Sequence, residues 1–474
     1  MTNLNTRSSL GIESGVQSPK HSLLKSFRLR MQSWLQPVSV GKRQLLAAKW
    51  GQLPPDLQTD NQILGKHWIG CGYTMGPAYC SFGCTHCYLP KSSNRVPLVS
   101  LELMKEQIVA QRKLLGAGGN LQITGGDVVE AYWRQGKSEE LIEILKFATD
   151  NELIPMLMTH GQILLENPDY FADLVSKGGL RKVSIHIDTT MAGRPGFPIR
   201  SLFCEDQLNP LRDEFVELVL EIRRRTGKLV VAAQTVTVTE SNIHSVGDIL
   251  IWLMSEMKNM DVCRTISFQP EARVGRTRSS KYPVTPEQVW QQISQSTGQA
   301  LSRDHLLVGH PDCSSIATLL VRVRDRKVLY LSSQFPSGRN FWSALLKTFG
   351  GLGASSTAPV QSLIQKSAAL AMHPAMIPIT IRYIRDLYRK GLLTKDFAWS
   401  VLSARVRGFN IVMHNFMSDE ELDQPRAMVV QQRLDACAFK GVIKIGGEWQ
   451  SVSMCEMNTS IRPSLYRDLP VRLS

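Results

Sequence analysis

Six apolar strand candidates alternate with amphipathic helices between about residue 64 and residue 268, and this rhythm predicts an α/β fold. Parallel pairing with right-handed crossovers then leads to a partial (β/α)6 TIM-type barrel, and the loss of the rhythm after residue 282 adds an α+β C-terminal domain. A third observation agrees. A loop holding three cysteines follows the first strand, and chemistry gathers on such βα loops.

In order, His67-Trp-Ile-Gly-Cys71-Gly-Tyr73 reads as the first strand, leading into the cysteine loop. A helix is expected over Leu101–Leu115, then a strand over Asn120–Thr124 that ends at Gly125-Gly126-Asp127. Helix Glu139–Asn151 precedes strand Ile154–Met158, and helix Pro168–Lys177 precedes strand Lys182–Ile187. A longer loop with Gly193, Pro195 and Pro198 leads to helix Pro210–Thr226 and strand Lys228–Val238. Helix Ile243–Lys258 and strand Arg264–Phe268 complete the rhythm. Beyond it, Leu319–Val323 and Lys327–Leu331 form an expected hairpin. The Gly350-Gly-Leu-Gly turn and helical stretches at Val360–Met372 and Ile377–Leu392 follow.

Three parts result. Residues 1–60 form a disordered and basic amphipathic N-terminal segment, 61–282 the barrel, and 283–474 a C-terminal auxiliary or substrate domain covering the barrel mouth. With 43% hydrophobic and 20% charged residues, 474 residues suffice for a sizeable core. An odd count of nine cysteines with no signal peptide argues against a secreted disulfide scaffold and for a reducing cytoplasm. No apolar run reaches bilayer-spanning length. The net charge of +14 is unevenly spread: Lys20, Lys25, Arg28, Arg30, Lys42, Arg43 and Lys49 share a stretch without Asp or Glu. Leu24, Phe27, Met31, Trp34 and Leu35 recur there at helical spacing, so this helix either packs its stripe on the main domain or lies on an anionic membrane surface. No recognisable nucleic-acid-binding motif accompanies the charge.

Cys80, Cys84 and Cys87 stand in a C-x3-C-x2-C run. Three thiolates this close can hold three irons of a cubane cluster and leave the fourth without a protein ligand. Structural zinc sites instead close with four ligands, usually in paired C-x2-C units. On this loop the chain resembles the radical SAM superfamily. The resemblance implies a [4Fe-4S] cluster whose open iron chelates S-adenosyl-L-methionine and cleaves it reductively to a 5′-deoxyadenosyl radical. His86 occupies the place where that superfamily usually has an aromatic residue.

The same resemblance gives Gly125, Gly126 and Asp127 the place of a Gly-Gly-Glu that approaches the cofactor's amino group, with Asp for Glu. Two glycines permit close approach of backbone carbonyls because no Cβ intervenes. Ser184, His186 and Asp188 alternate with apolar residues on the fourth strand, where the superfamily reads the cofactor's sugar and carboxylate. His186 is equally a candidate for a hydrogen-bonded core histidine. Gln234, Thr235 and Thr237 on the fifth strand and Gln269 after the sixth are weaker candidates of the same kind, and Thr159-His160-Gly161 is placed on the substrate side. Cys204 and Cys263 read as buried small hydrophobes.

The remaining cysteines sit in His310-Pro-Asp-Cys313, Leu434-Asp-Ala-Cys437 and Ser453-Met-Cys455-Glu-Met-Asn458, with His414-Asn-Phe-Met417 before the last two. This pattern resembles the radical SAM branch that includes tetraether lipid synthases and archaeal pterin methyltransferases. That branch usually has an apolar-Pro-Phe run before the last cysteine, where this chain has Val452-Ser453-Met454. The resemblance implies that Cys313, Cys437 and Cys455 help bind an auxiliary iron–sulfur cluster; either Cys71 or His310 completes the set or one iron is left open, a choice the sequence does not make. It further implies hydrogen abstraction from an unactivated C–H position, followed by C–C bond formation or methylation on a small-molecule or lipid substrate. Flavodoxin or ferredoxin is the expected electron donor, and the expected location is cytoplasmic, peripheral at the membrane surface if the basic helix binds lipid. Two alternatives stand beside it: a peptide-modifying maturase, which usually carries a denser C-terminal cysteine array, and a non-catalytic metal-binding regulatory protein.

Overall fold

The structure is a computed structural model that describes residues 54–58, 71–116, 118–196, 204–277, 283–303, 306–331, 335–349, 373–403, 405–423 and 428–461. Almost all of the basic N-terminal segment, the Gly350 turn and the Val360–Met372 stretch therefore lie outside the described residues. Strands β1 (Cys71–Met75), β2 (Asn120–Thr124), β3 (Ile154–Thr159), β4 (Lys182–His186), β5 (Val231–Val238) and β6 (Cys263–Pro270) pair in parallel and in chain order. Six parallel strands in this order are what the sequence rhythm predicts.

Local chemistry sets its element ends. Ser100 caps helix Leu101–Leu115 by accepting from Leu103 N, and Asp127 caps helix Val128–Arg134 by accepting from Glu130 N. Gly227, with φ of 64°, ends helix Asn209–Thr226 in the left-handed conformation that favours glycine. Two short helices, Val128–Arg134 and Gln162–Glu166, were not expected. The expected helix Ile243–Lys258 is instead two helices, Val246–Leu253 and Met257–Val262. Trp252 O, which accepts from Ser255 Oγ and Asn259 Nδ2, closes the first of them.

The later strands extend the same sheet on both edges. Strand β10 (Val406–His414) pairs in parallel with β6 and antiparallel with β8 (Ser314–Arg322), which also binds β7 (Leu306–Val308) and β9 (Lys327–Tyr330). The β8–β9 pair is the expected hairpin, with Arg322 opposite Lys327. On the other edge, β11 (Lys440–Ile445) pairs in parallel with β1 and forms a hairpin with β12 (Glu448–Ser453). The hydrogen-bonded order is β12-β11-β1-β2-β3-β4-β5-β6-β10-β8-β7, an open path of mostly parallel strands. The two ends approach through side chains: Leu306, Val308 and Ile316 pack on Ala438 and Phe439. The described strands after residue 283 join the barrel sheet. Three of the later helices, Pro336–Phe349, Met376–Arg389 and Lys395–Leu402, bury Phe335, Tyr383, Leu387 and Phe397 against Leu320 and Leu329 of β8 and β9.

The main core lies between the sheet and the helices beside it and is lined by residues such as Ile123, Leu157, Val183, Ile185, Val236 and Ile266. Strand alternation therefore sends Ser184 and His186 to the opposite, inner face.

Two cysteine sites

The cysteine loop is laid across the carboxyl ends of β1 and β2 by backbone pairing. Gly76 N–H donates to Thr124 O (2.7 Å), Gly126 N–H to Pro77 O (2.7 Å) and Asp127 N–H to Tyr79 O (2.8 Å). The packing leaves no room for larger residues. A Cβ on Gly125 would stand 2.1 Å from Pro77 O, and one on Gly126 would stand 2.1 Å from Tyr79 O. The two glycines thus serve the cysteine loop itself. Tyr88 hydroxyl donates to Gly125 O (2.5 Å), and Arg276 N–H donates to Cys87 O (2.9 Å). Asn94 pins Cys80 from both sides, accepting from its N–H and donating to its carbonyl.

Cys80, Cys84 and Cys87 are free thiols close enough for each charge to disfavour the next. Burial pushes the Cys84 thiol up to about 12 and the Cys80 thiol higher still. Asp127 and Asp188 add to this, while the N–H groups of Phe82 and Ala192 point at the sulfurs of Cys80 and Cys84 and act the other way.

Asp127 is buried and heavily engaged. Besides capping its helix, it accepts from Thr159 Oγ1 (2.7 Å) and His160 N–H (2.6 Å). Beside it, Glu130 accepts from Ser81 N–H (2.9 Å), Arg134 (2.6 Å) and His160 Nε2 (3.1 Å). Burial alone would raise the Glu130 carboxyl, but these bonds outweigh it and pull the group down to about 2. The Cys80 sulfur, a Glu130 oxygen and a His160 ring nitrogen lie within 4.8 Å of one another. Phe82 stacks flat on His160 at 3.8 Å, and Arg194 donates to His160 O (2.6 Å). The sequence reading missed Glu130 and Arg194. The Asp127-x-x-Glu130 pattern at a helix start was the available signal for the first.

Further round the inner face, His186 Nε2 lies 2.7 Å from Asp188, which also accepts from Thr237 N–H (2.7 Å) and Thr190 N–H (2.8 Å). Burial works against the Asp188 charge, yet His186 and these donors hold its carboxyl below the usual range. Ser184 Oγ meets Thr235 Oγ1 at 2.9 Å. Gln234 faces the other way. Its amide donates to Ile187 O (3.0 Å) on the helix side, because neighbouring strand residues alternate faces and only Thr235 and Thr237 share the inner one. His86, next to Cys87, pairs with Glu271 beyond the end of β6 at 3.1 Å.

A second group assembles Cys313, just before β8, with Cys437 and Cys455, which flank the β11–β12 hairpin. Burial raises the Cys313 thiol to about 11, moderated by Arg433, and raises Cys455 further, with the charges of Cys437 and Cys313 adding. Met417 N–H donates to Cys455 Sγ (3.5 Å), and Cys437 Sγ–H donates to Phe439 O (3.1 Å). Arg433 is buried, bonded to Glu421 (2.9 Å) and Asn415 O (2.9 Å), and its charge is favoured by Cys313 although burial opposes it. Of the two fourth-ligand candidates, Cys71 points elsewhere: its sulfur donates to Asn120 O (3.4 Å), and its charge partner is Lys182. His310 is buried, accepts Asp312 N–H at Nδ1 (3.0 Å), and has no partner for Nε2 among the described residues. Asn458 Oδ1 is likewise buried and unpartnered among them.

No family model matches the chain, and no curated protein matches it. Similar solved structures include native anSMEcpe with bound AdoMet, at 14% identity and TM-score 0.32 over 49% of this chain and 63% of that one. Methylornithine synthase (PylB) is 11% identical, with TM-score 0.33 over 56% and 72% of the two chains. HydG, a maturase of the [FeFe]-hydrogenase, is 10% identical, with TM-score 0.34 over 54% and 52%. The chain thus spans under two thirds of the length of the first and third. Likenesses of this size leave the reading of the sites to their own geometry.

Proposed function

We propose that the chain is a radical SAM enzyme. The observation that carries this reading is the convergence of Cys80, Cys84 and Cys87 on one loop at the carboxyl edge of six parallel strands, with no fourth cysteine beside them among the described residues. Such a donor set fits three irons of a [4Fe-4S] cluster and leaves one position for S-adenosyl-L-methionine. When bound, the pair would supply one-electron cleavage of a carbon–sulfur bond and hence hydrogen abstraction.

The protein's own residues hold and shield. Gly125 and Gly126 let the second βα loop seat the cysteine loop, and Asn94 and Arg276 fix its two ends. The N–H groups at Cys80 and Cys84 favour thiolate over thiol. Ser184, His186, Thr235 and Thr237 offer hydroxyl and imidazole groups on the inner face for a polar ligand such as the cofactor's sugar, and Phe82 stacked on His160 anchors the loop. Cys313, Cys437 and Cys455 are read as ligands of an auxiliary cluster, supported by their proximity and by the unpartnered buried atoms of His310 and Asn458. The resemblance of the later cysteine pattern extends this reading to a lipid or cofactor precursor as substrate, modified at an unactivated C–H position.

Anaerobic reconstitution with iron and sulfide tests the reading. The expected result is an EPR signal that changes on adding S-adenosyl-L-methionine, and 5′-deoxyadenosine after dithionite. Protein with full iron content that does neither is a metal-binding protein of another kind.

A further inference from the structure

Helix Met376–Arg389 buries only one side. Met376, Tyr383 and Leu387 are buried, the latter two in the cluster of Leu329, Phe335 and Phe397. Ile377, Ile381, Ile384 and Tyr388 are all exposed, Ile381 by 59%. At 100° per residue these four fall on one stripe, about a third of a turn from the buried face. Arg385 is exposed on the flank beside it, Arg389 and Arg382 lie progressively further round, and Asp386 is the helix's one acidic residue. The following helix, Lys395–Leu402, exposes Trp399 by 66% and Val401. A stripe of large apolar side chains edged with arginine is costly in water unless something covers it.

A second copy of this chain is a poor occupant for the stripe, because the same arginines would face each other and the chain carries +14 overall.

We infer that the Ile381 stripe of helix Met376–Arg389, with Arg385 on its flank, docks on an anionic lipid bilayer. Isoleucine, tyrosine and tryptophan enter the headgroup boundary, and the arginines meet the negative surface. This inference does not depend on the chemistry of the cysteine sites.

The test is co-sedimentation of the full chain with vesicles of phosphatidylglycerol and phosphatidylcholine in equal parts, against phosphatidylcholine alone. Binding is expected to the first only and to weaken at high salt. Ile381→Asp with Ile384→Asp, and separately Arg385→Glu with Arg389→Glu, should each lower it roughly tenfold or more, with melting temperature unchanged because all four positions are exposed. Three results would overturn the inference: no vesicle binding, binding unchanged in both double variants, or a double variant that converts a dimer to a monomer in light scattering without lipid.

Discussion

The two cysteine groups solve one problem in opposite ways. Cys80, Cys84 and Cys87 sit within eight residues on one loop, and neighbouring loops only steady it. Cys313, Cys437 and Cys455 come from distant segments, and the approach of the sheet's two edges brings them together. Their electrostatic settings are alike. Burial raises the thiols of both groups, and each has both signs of charge nearby: Asp127, Asp188 and Arg194 at the first, Asp312 and Arg433 at the second. Both groups therefore need metal cations to become thiolates, and what separates them is how far apart in the chain their ligands lie.

The largest effect should come from Cys84→Ala, which removes one of three local ligands. Loss of all 5′-deoxyadenosine above background is expected, and normal output would refute the ligand assignment. Cys437→Ala should lower iron and sulfide by about half while leaving that output measurable, given one four-iron cluster at each site. Unchanged iron per chain would remove the second cluster and with it half of the comparison.

Gly126→Ala probes how the first loop is held. Its Cβ would press on Tyr79 O and Ala78 O, both backbone atoms, so the loop must shift. A loss of about 1–3 kcal/mol of stability in denaturant unfolding is expected, with reduced iron at the first site. An unaltered midpoint would mean that the loop yields freely.

The smallest effect is a pH dependence in the second region. His414, hydrogen-bonded to Ser314 (3.0 Å) and packed edge-on to Phe439, is pushed by burial from 6.5 down to about 4. Between those values the unfolded chain binds a proton that the folded one does not, so stability falls as pH drops through this window and levels off below it. His414→Leu should flatten that slope in acid unfolding curves; an identical slope would show that other groups cause it.

Much of this was legible in the chain. The β2 boundaries, the Cys80–Cys87 spacing and the β8–β9 hairpin follow from short-range pattern, because alternation and turn residues act over a few positions. Gln234 shows the limit of naming neighbours together. Parity puts it and Thr235 on opposite faces, and only knowledge of which face is inner assigns them. The reach of Glu130 to Ser81, and of Arg433 to Asn415, had no periodic signature at all.

By itself the sequence determined six parallel strands and a three-thiol loop after the first of them, since hydrophobic period and ligand spacing are local quantities. Only tertiary structure decided that the later strands would flank those six in one sheet. It also gathered Cys313, Cys437 and Cys455 around Arg433, and left the Ile381 stripe of a C-terminal helix bare. Those outcomes depend on which surfaces meet, and contacts between residues a hundred positions apart are set by the packing of the whole chain.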